Sequence, residues 1–423
     1  MKTVIVIGAG NRGTGYSKIM KKMGEEFRVI AVAEPIEERR NFLRELYDVP
    51  MEMCHTSWEE LLARPKFADL VMIATMDRDH FAPAMAAIEK GYDLLLEKPM
   101  GATPEECAAI ERAAVEKGVL VLVCHVLRFT PFFRALKNLI DQGVIGDVVH
   151  VQHAEDVGNV HQSHSFVRGN WHNSEQSTPM IVQKTCHDMD IMQWLIGKNC
   201  TRVHSFGGLF YFKEENAPEG STECCLDCPH AEHCCYDARR IYMKDYRDLH
   251  FGRVALGRDV TDERAEEILR ASPYGRCVFR MDNNVVDHQT VNLEFEGGVT
   301  ASFSMCAFNK GQRRIRIMGT KGELSGEMKD TIRFYDFATS TTKEISVFDA
   351  VNNDTIDGGH GGGDQGIIRA LCDRLNGEMD NIAICTIEET CRNHLIAYAA
   401  EESRLTGSVV DMKKYEEALG GLL

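Results

Sequence analysis

The sequence predicts an α/β protein with two parts: a doubly wound parallel sheet, followed by an α+β domain with a large open, mainly antiparallel sheet. Over the first 125 residues, short apolar runs alternate with helix-period segments, which is typical of a parallel sheet covered on both faces. After residue 145 the strand-like runs are longer and follow one another, which indicates an open sheet. The 423 residues are too many for one ordinary core. We therefore expect two domains, 1–125 and 126–423.

Each predicted element depends on a local pattern of apolar residues. Thr103 followed by Pro104 and two acids is an N-cap signature that predicts a helix over Pro104–Lys117. The predicted strands are Val4–Ile7, Val29–Ala33, Leu70–Ala74, Leu94–Leu96, Val119–Val123, Val148–Glu155, Val203–Phe212, Thr290–Phe295, Thr300–Cys306, Arg314–Met318 and Thr331–Tyr335. The other predicted helices are Tyr16–Met23, Glu37–Leu46, Phe81–Lys90, Asp364–Leu375 and Ile387–Arg404. Residues 213–275 are rich in charge and cysteine, and we interpret them as an insertion.

Composition and charge restrict the classes of partner. The formal net charge is −16, so phosphate backbones and anionic membranes are poor partners, and we expect neither nucleic acid nor membrane binding. The apolar N-terminus leads into a glycine turn, which favours a first strand over a signal peptide. No apolar run approaches the ~18 residues that span a membrane. We therefore expect a cytoplasmic protein.

A glycine-rich loop follows the first predicted strand. Gly8, Gly10 and Gly13 form a G-x-G-x-x-G pattern, with Asn11 and Arg12 between the last two glycines. The pattern follows a strand and opens a helix, which is the context of dinucleotide-binding Rossmann folds. The glycines allow a tight turn and a close approach of the pyrophosphate, and the helix N-terminus supplies amide donors. These five residues are therefore predicted to bind a dinucleotide.

Glu34 follows the second predicted strand, about 20 residues after the glycine loop. An acid at this place accepts hydrogen bonds from the adenosine ribose and repels a 2′-phosphate, so it favours NAD over NADP. Arg39 and Arg40 lie nearby and leave room for the alternative.

Lys98 follows the buried run Leu94–Leu96, at the carboxyl end of a predicted strand. Ligands of open α/β sheets lie at this edge. A lysine beside a nicotinamide could take or give the proton of a substrate hydroxyl while a hydride moves to or from the cofactor. From spacing alone, a surface lysine at the start of a loop is equally compatible.

Four motifs together resemble the glucose–fructose oxidoreductase, inositol dehydrogenase and rhizopine catabolism (Gfo/Idh/MocA) family. They are Gly8–Gly13, Ile73-Ala-Thr75 with His80, Glu97-Lys98-Pro99, and Cys186-His187-x-x-Asp190-x-x-x-Trp194-Leu-x-Gly197. The resemblance implies a Rossmann domain, an open-sheet second domain, and NAD(P) chemistry at secondary hydroxyls of sugars and cyclitols.

The resemblance also implies roles for individual residues. It assigns acid/base work to Lys98, and it places Glu97 beside the nicotinamide, before a Lys98–Pro99 bond that is often cis. Further residues expected along the ribose and nicotinamide are Thr75, Asp77 and His80.

One motif departs from the family pattern. His187 matches a catalytic histidine, but Gln183 stands where many family dehydrogenases have an aspartate, and Lys184 follows it. Gln183 cannot act as a base, whereas Lys184 could donate hydrogen bonds to substrate hydroxyls. The departure weakens the case for a plain alcohol dehydrogenase.

Other polar residues are candidates for substrate contact. His125 and Arg128 follow the fifth strand, although Arg128 is also compatible with a structural ion pair. The loop before His187 offers hydrogen-bonding groups and an aromatic face, as sugar sites require, but it could equally be an ordinary polar loop. Its candidate residues are His161, His164, Arg168 and Trp171. His360 precedes three glycines, so it could enter the site from the C-terminal segment or simply belong to a turn.

Five of the 15 cysteines crowd into residues 224–235. Cys225 and Cys228 have a chelating C-x-x-C spacing, and Cys234 and Cys235 could complete a tetrahedral structural zinc site. The alternative is a reduced, thiol-rich insertion.

Three functions remain in competition. The first is an NAD-dependent dehydrogenase of a sugar, glycoside or cyclitol. The second is a redox-assisted glycosidase that recycles bound NAD through a keto-sugar. The third is a non-catalytic NAD-binding regulator, which the Lys98 and His187 motifs disfavour. An open sheet with an uncovered apolar face would also favour a homo-oligomer, either dimer or tetramer.

Overall fold

The first sheet contains six parallel strands. The computed structural model describes residues 1–350, 360–378 and 383–420. The strands are β1 (Lys2–Ile7), β2 (Phe27–Ala33), β3 (Cys54–His55), β4 (Leu70–Ile73), β5 (Asp93–Leu96) and β6 (Val121–Val123). Their order is β3-β2-β1-β4-β5-β6, so the chain order reverses beside β1. This doubly wound Rossmann topology confirms the predicted fold of the first part.

Helices cover this sheet because its central strands are buried on both faces. They are α1 (Asn11–Lys22), α2 (Glu37–Tyr47), α3 (Glu59–Ala63), α4 (Phe81–Glu89) and α5 (Pro104–Lys117). The Thr103 hydroxyl accepts a hydrogen bond from the Glu106 amide, so α5 begins with the predicted cap. Helix α6 (Pro131–Asp141) leads to the second sheet.

The second sheet has nine strands and is mostly antiparallel, as predicted. They are β7 (Val148–Asp156), β8 (Cys200–Gly208), β9 (His288–Phe295), β10 (Thr300–Cys306), β11 (Gln312–Gly319), β12 (Gly322–Gly326), β13 (Thr331–Asp336), β14 (Thr341–Ser346) and β15 (Val410–Asp411). The order is β14-β13-β12-β11-β7-β10-β9-β8-β15, and β7 and β10 pair in parallel. The boundary at residue 125 falls just after β6 and stays a prediction.

Two sets of helices complete the chain. Those before and within the insertion are α7 (Asn159–His161), α8 (Met180–Gln183), α9 (Cys186–Ile196), α10 (His250–Leu256) and α11 (Asp262–Ala271). Those near the C-terminus are α12 (Val347–Ala350), α13 (Gly363–Leu375), α14 (Ile387–Thr406) and α15 (Met412–Ala418). Helix α14 packs against α5 and against β8, while α13 packs against α1. The C-terminal helices therefore contact both halves of the molecule.

The predicted insertion lies between β8 and β9. It has a small hydrophobic core of its own, separate from the main core. The buried members of this core are Cys225, Ala238, Ile241, Tyr242, Ala255, Leu256, Ala265 and Leu269. The insertion is thus a packed unit and not an extended loop.

The outward face of the second sheet is polar where β9 and β10 pair. The exposed or half-buried side chains there are Thr290, Asn292, Thr300, Ser302 and Ser304. The apolar surface that would favour an oligomer is not found at this place, and the homo-oligomer stays a prediction. In the part of the chain that the structure describes, no helix combines the length and apolarity of a membrane span.

Candidate active site

The glycine loop joins β1 to the N-terminus of α1. Gly8 has a φ of +89°, and a Cβ on it would lie 2.5 Å from the carbonyl oxygen of Ala74. A Cβ on Gly13 would lie 2.0 Å from the carbonyl oxygen of Gly8. The space beside Gly10 is open instead, because a Cβ there would meet nothing closer than the Arg39 guanidinium at 3.9 Å. Open space before a helix N-terminus fits a pyrophosphate, so the loop is suited to a dinucleotide.

Glu34 lies directly after β2 and is only 4% exposed. Its carboxylate accepts hydrogen bonds from the amide of Ala9 at 2.7 Å and from the amide of Ile36 at 3.0 Å. These bonds fix the carboxylate beside the glycine loop. A carboxylate has further acceptor capacity, so this arrangement is compatible with the predicted contact to ribose hydroxyls.

Arg12 connects the glycine-loop helix to two other elements. Its Nε donates to Glu97 at 2.7 Å, and its two terminal nitrogens donate to Asp364 of α13 at 2.9 and 2.8 Å. The Tyr16 hydroxyl also donates to Glu97, at 2.9 Å. Burial opposes the charged form of Glu97, but the neighbouring charges of Arg12 and Lys98 prevail and hold its pKa below the ordinary value. These hydrogen bonds of Arg12 are therefore structural, and its contact to a cofactor stays a prediction.

Lys98 lies just after the carboxyl end of β5, in the segment that leads to α5. The Lys98–Pro99 peptide bond is cis, as the family resemblance implies. The Lys98 ammonium donates a hydrogen bond to the carbonyl oxygen of Gln183 at 2.6 Å. Because Gln183 ends α8, this bond places Lys98 at the contact between the two halves of the chain.

The residues before β5 hold this turn in place. The His80 ring lies between the carbonyl oxygens of Pro99 at 2.7 Å and Thr75 at 3.3 Å. Asp77 accepts hydrogen bonds from the Trp171 indole at 3.2 Å and from the Thr178 hydroxyl at 3.0 Å. The segment predicted to line the cofactor (Thr75–His80) and the loop before His187 that is predicted to bind substrate (residues 161–171) are therefore in contact.

Lys184 belongs to a buried network of charges that sequence reasoning did not find. Its ammonium lies 3.4 Å from Glu155 of β7. The guanidinium of Arg313, on β11, lies 2.7 Å from Glu155 and 2.8 Å from Asp188 of α9. The His153 ring lies 2.7 Å from Asp188 and completes the network. The available signal was the alternation of β7, which places an acid on the same face as the buried Val151.

His187 lies in a cluster of three histidine rings. The His125 ring centroid is 5.9 Å from that of His187 and 5.1 Å from that of His394. Neither ring nitrogen of His125 makes a hydrogen bond within the described structure. Burial, with the charges of Arg128 and Lys98, lowers the pKa of His125 to about 3, so its ring is neutral near pH 7. His394 was not predicted, because it lies far along the chain on α14.

Arg128 forms a buried ion pair, which is the structural alternative that the sequence left open. Its Nε and Nη2 donate to the carboxylate of Asp190, the latter at 2.7 Å. Its guanidinium also lies 5.3 Å from the centroid of the Trp194 ring. A role in substrate binding stays a prediction.

The substrate loop contains a π-helical stretch, Gln162–Arg168, that contacts the insertion. His164 stacks on Tyr274 with ring centroids 4.8 Å apart. Arg168 is 1% exposed and donates to the carbonyl oxygens of Tyr236 and Arg276, both at 2.8 Å. The hydrogen bonds of Arg168 therefore support the insertion and do not contact Lys98.

His161 and His360 are the remaining candidates for substrate contact. The His161 centroid is 5.5 Å from that of Phe251, on α10. Burial, followed by the charge of Lys184, lowers the pKa of His161. His360 opens a short turn before α13, and its side chain lies outside the described residues.

The structure does not support the predicted zinc site. Within residues 1–350, 360–378 and 383–420, no group of three or more cysteine, histidine or acidic side chains is arranged to hold a metal ion. The Cys225 sulfur lies 3.4 Å from the Arg168 guanidinium, whose positive charge opposes a metal ion at this sulfur. Burial also raises the pKa of Cys225, which opposes the thiolate that zinc requires. Of the other three predicted ligands, Cys228 and Cys234 are half-buried and Cys235 is exposed.

Comparison with known sequences gives a consistent result. Residues 2–125 match the family model "Oxidoreductase family, NAD-binding Rossmann fold", and residues 137–412 match "Oxidoreductase family, C-terminal alpha/beta domain". The chain is 25% identical to the putative oxidoreductase YteT of Bacillus subtilis, over 88% of each chain. It is 30% identical to the 2,7-anhydro-N-acetylneuraminate hydratase of Mediterraneibacter gnavus, over 49% of this chain and 53% of the relative.

Comparison with solved structures supports the fold. A levoglucosan dehydrogenase solved with NADH and levoglucosan superposes with a TM-score of 0.70 at 18% identity, covering 97% of this chain and 98% of that one. An oxidoreductase domain protein from Kribbella flavida gives 0.69, also at 18% identity, covering 97% of this chain and 100% of the other. Both family models match consecutive parts of the chain that fold as their descriptions require. The chain therefore belongs to the Gfo/Idh/MocA oxidoreductase family, with an NAD-binding Rossmann domain and a C-terminal α/β domain.

Proposed function

We propose that the protein is an NAD-dependent oxidoreductase that acts on a secondary hydroxyl of a sugar, glycoside or cyclitol, with Lys98 as the acid/base. The observation that carries the proposal is the position of the Lys98 ammonium. It lies at the carboxyl edge of the Rossmann sheet and within 2.6 Å of Gln183, a residue of the second half. A ligand held between the two halves would therefore meet this group.

The residues around the glycine loop suit the cofactor. The open space at Gly10 would admit the pyrophosphate, and Glu34 would accept hydrogen bonds from the ribose hydroxyls. NAD, when bound, accepts the hydride from the carbon that carries the reacting hydroxyl. Lys98 takes the proton of that hydroxyl in the oxidation and returns it in the reduction.

Lys184 and His187 are the other candidates for direct contact with substrate. Lys184 follows the residue whose carbonyl holds Lys98, so the two ammonium groups are near neighbours. We assign Lys184 the donation of hydrogen bonds to substrate hydroxyls, because Gln183 supplies no carboxylate. His187 would lie beside the same substrate, packed on the neutral His125 ring.

A redox-assisted glycosidase is the second candidate. The observation that favours it is Gln183, which leaves the helix without the acid expected of a plain dehydrogenase. The similarity to a relative named as a hydratase supports considering a reaction other than net oxidation. In such a reaction, oxidation and reduction by the same cofactor would enclose cleavage of the glycosidic bond.

One assay separates the candidate functions. Sugars, cyclitols and chromogenic glycosides are incubated with the protein and NAD, and NADH absorbance and released aglycone are followed together. Net NADH supports the dehydrogenase, and aglycone release at constant NADH supports the glycosidase. Tight NAD binding without either would favour the regulator.

Replacing Lys98 tests the central residue. Lys98→Ala is expected to lower kcat by about 10²–10⁴-fold, because the reacting hydroxyl loses its proton acceptor. Lys117→Ala is the matched control, since Lys117 forms a surface ion pair with Glu89 at the end of α5. Near wild-type turnover in Lys98→Ala would contradict the proposed mechanism.

A further inference from the structure

Glu155 is a buried acid that belongs neither to the predicted cofactor-binding residues nor to the predicted substrate-binding residues. It lies near the end of β7, is 4% exposed, and shares a strand face with Val151 and His153. An isolated carboxylate in such a place would be strongly unfavourable. Two cations compensate its charge, because Lys184 lies 3.4 Å away and Arg313 lies 2.7 Å away.

The groups around Lys184 shift its pKa in opposite directions. Burial lowers the pKa of Lys184, Glu155 raises it, and the like charges of Arg313 and Lys98 lower it. Asp188 raises it from α9. His161 also faces this group, and its low pKa keeps that ring uncharged near pH 7. Glu155 is therefore the strongest of the influences that keep Lys184 charged.

A cavity open to solvent borders Glu155. Glu155 and Arg313 line a cavity of about 370 Å³ where β7 ends and β11 begins, together with Val157 and Met328. The volume falls within the usual range for small-molecule sites, about 300–1,000 Å³. Glu155 is thus buried and borders this cavity on one side, while Lys184 contacts it from outside the cavity lining.

We propose that Glu155 is a positioning residue that holds Lys184 in its charged form and directs it at the substrate, supplying the carboxylate that position 183 lacks. The inference rests on the proposed function, in which Lys184 donates to substrate hydroxyls. In this arrangement the acid lies on β7 instead of the helix, and it acts through Lys184 and not on the substrate.

The charge of Lys184 can be measured without turnover. Competitive acetylation of the folded protein over a pH series, read by mass spectrometry of the peptide that contains Lys184, gives the pH at which this amine becomes reactive. In Glu155→Gln the midpoint is expected to shift to lower pH, because the nearest negative charge is removed. Glu294→Gln is the control, since Glu294 is a surface acid of the same sheet, paired with Arg202. An unchanged midpoint in Glu155→Gln would overturn the inference, as would an equal shift in the control.

Kinetics provide the second measurement. Glu155→Gln is expected to lower kcat/KM by about tenfold or more and to move the alkaline limb of its pH profile to lower pH. Glu155→Asp should restore part of both. In Lys184→Gln the limb should disappear, and adding Glu155→Gln should change nothing further. This double variant keeps the test open if Glu155→Gln alone fails to fold. Additive effects would overturn the inference.

The two measurements separate this inference from the proposed function. If the wild-type protein turns over no sugar with NAD, the proposed function fails, and acetylation still decides whether Glu155 controls Lys184. If the wild-type protein is active and the Glu155→Gln profile keeps its limb, the function stands and the role of Glu155 is rejected.

Discussion

Individual residues of the site differ in how far the sequence could predict them. Glu34 and Lys98 were predictable because each follows a buried strand, and the carboxyl ends of parallel strands meet at one edge. Glu155 and Arg313 were not, because their pairing depends on the register of β7 against β11, far apart in sequence. His394 lies further still along the chain. Residues that belong to a local motif can be predicted from the sequence, whereas residues that pair across a sheet cannot.

Glu34 carries a prediction at this scale. Glu34→Ala removes the acceptor for the amides of Ala9 and Ile36 and leaves the loop less fixed. We expect the Kd for NAD to rise about tenfold, which corresponds to roughly 1.4 kcal/mol. Titration calorimetry measures it, with Glu37→Ala, an exposed acid in the first turn of α2, as control. Equal affinities in both variants would contradict the assigned role.

Whole elements were predicted well where one face is buried. The helix Pro104–Lys117 and the strand Thr300–Cys306 have the predicted bounds. The strand predicted over Val203–Phe212 ends instead at Gly208, where the chain departs into the insertion. β3 has two residues and β14 has no buried side chain, so neither shows an alternating pattern. Edge strands of this kind have no apolar pattern from which they could be predicted.

The insertion carries a prediction at the scale of elements. Arg168→Met removes a charged hydrogen-bond donor from the carbonyl oxygens of Tyr236 and Arg276. We expect the free energy of unfolding to fall by about 1–3 kcal/mol, with the loss of stability concentrated in the insertion. Limited proteolysis should then cleave residues 213–275 faster than in the wild type. Arg240→Met, at a half-exposed arginine of the insertion, is the control. Cleavage at the wild-type rate would show that Arg168 does not hold the insertion.

At the scale of the whole molecule, buried histidines of the described residues connect stability to pH, and His161 belongs with the three named next. Burial, as the largest cause, lowers the pKa of His125, His164 and His394 to about 3, from an ordinary value of 6.5. The unfolded chain therefore binds more protons than the folded chain between these values. The stability that these rings contribute is fully present above pH 6.5 and is lost as the pH falls towards 3.

This difference predicts the acid side of the stability curve. The Tm of the wild type should fall steadily as the pH is lowered from 7 to 4. In His125→Leu the fall should be shallower, because one proton-binding site of the unfolded chain is gone. His233→Asn, at an exposed histidine, should keep the wild-type slope. Calorimetry over a pH series measures all three, and identical slopes would argue against burial as the cause.

The packing of α14 against the first half has a consequence for synthesis on the ribosome. The His394 ring accepts a hydrogen bond from the amide of Met100 at 3.1 Å, and the Tyr398 hydroxyl donates to the carbonyl oxygen of Gly101 at 2.8 Å. The Rossmann strands emerge early, but this covering helix emerges only after the entire second sheet. Until α14 is synthesised, part of the apolar surface of the nascent N-terminal domain is therefore uncovered. Binding by chaperones would protect the domain most during this time.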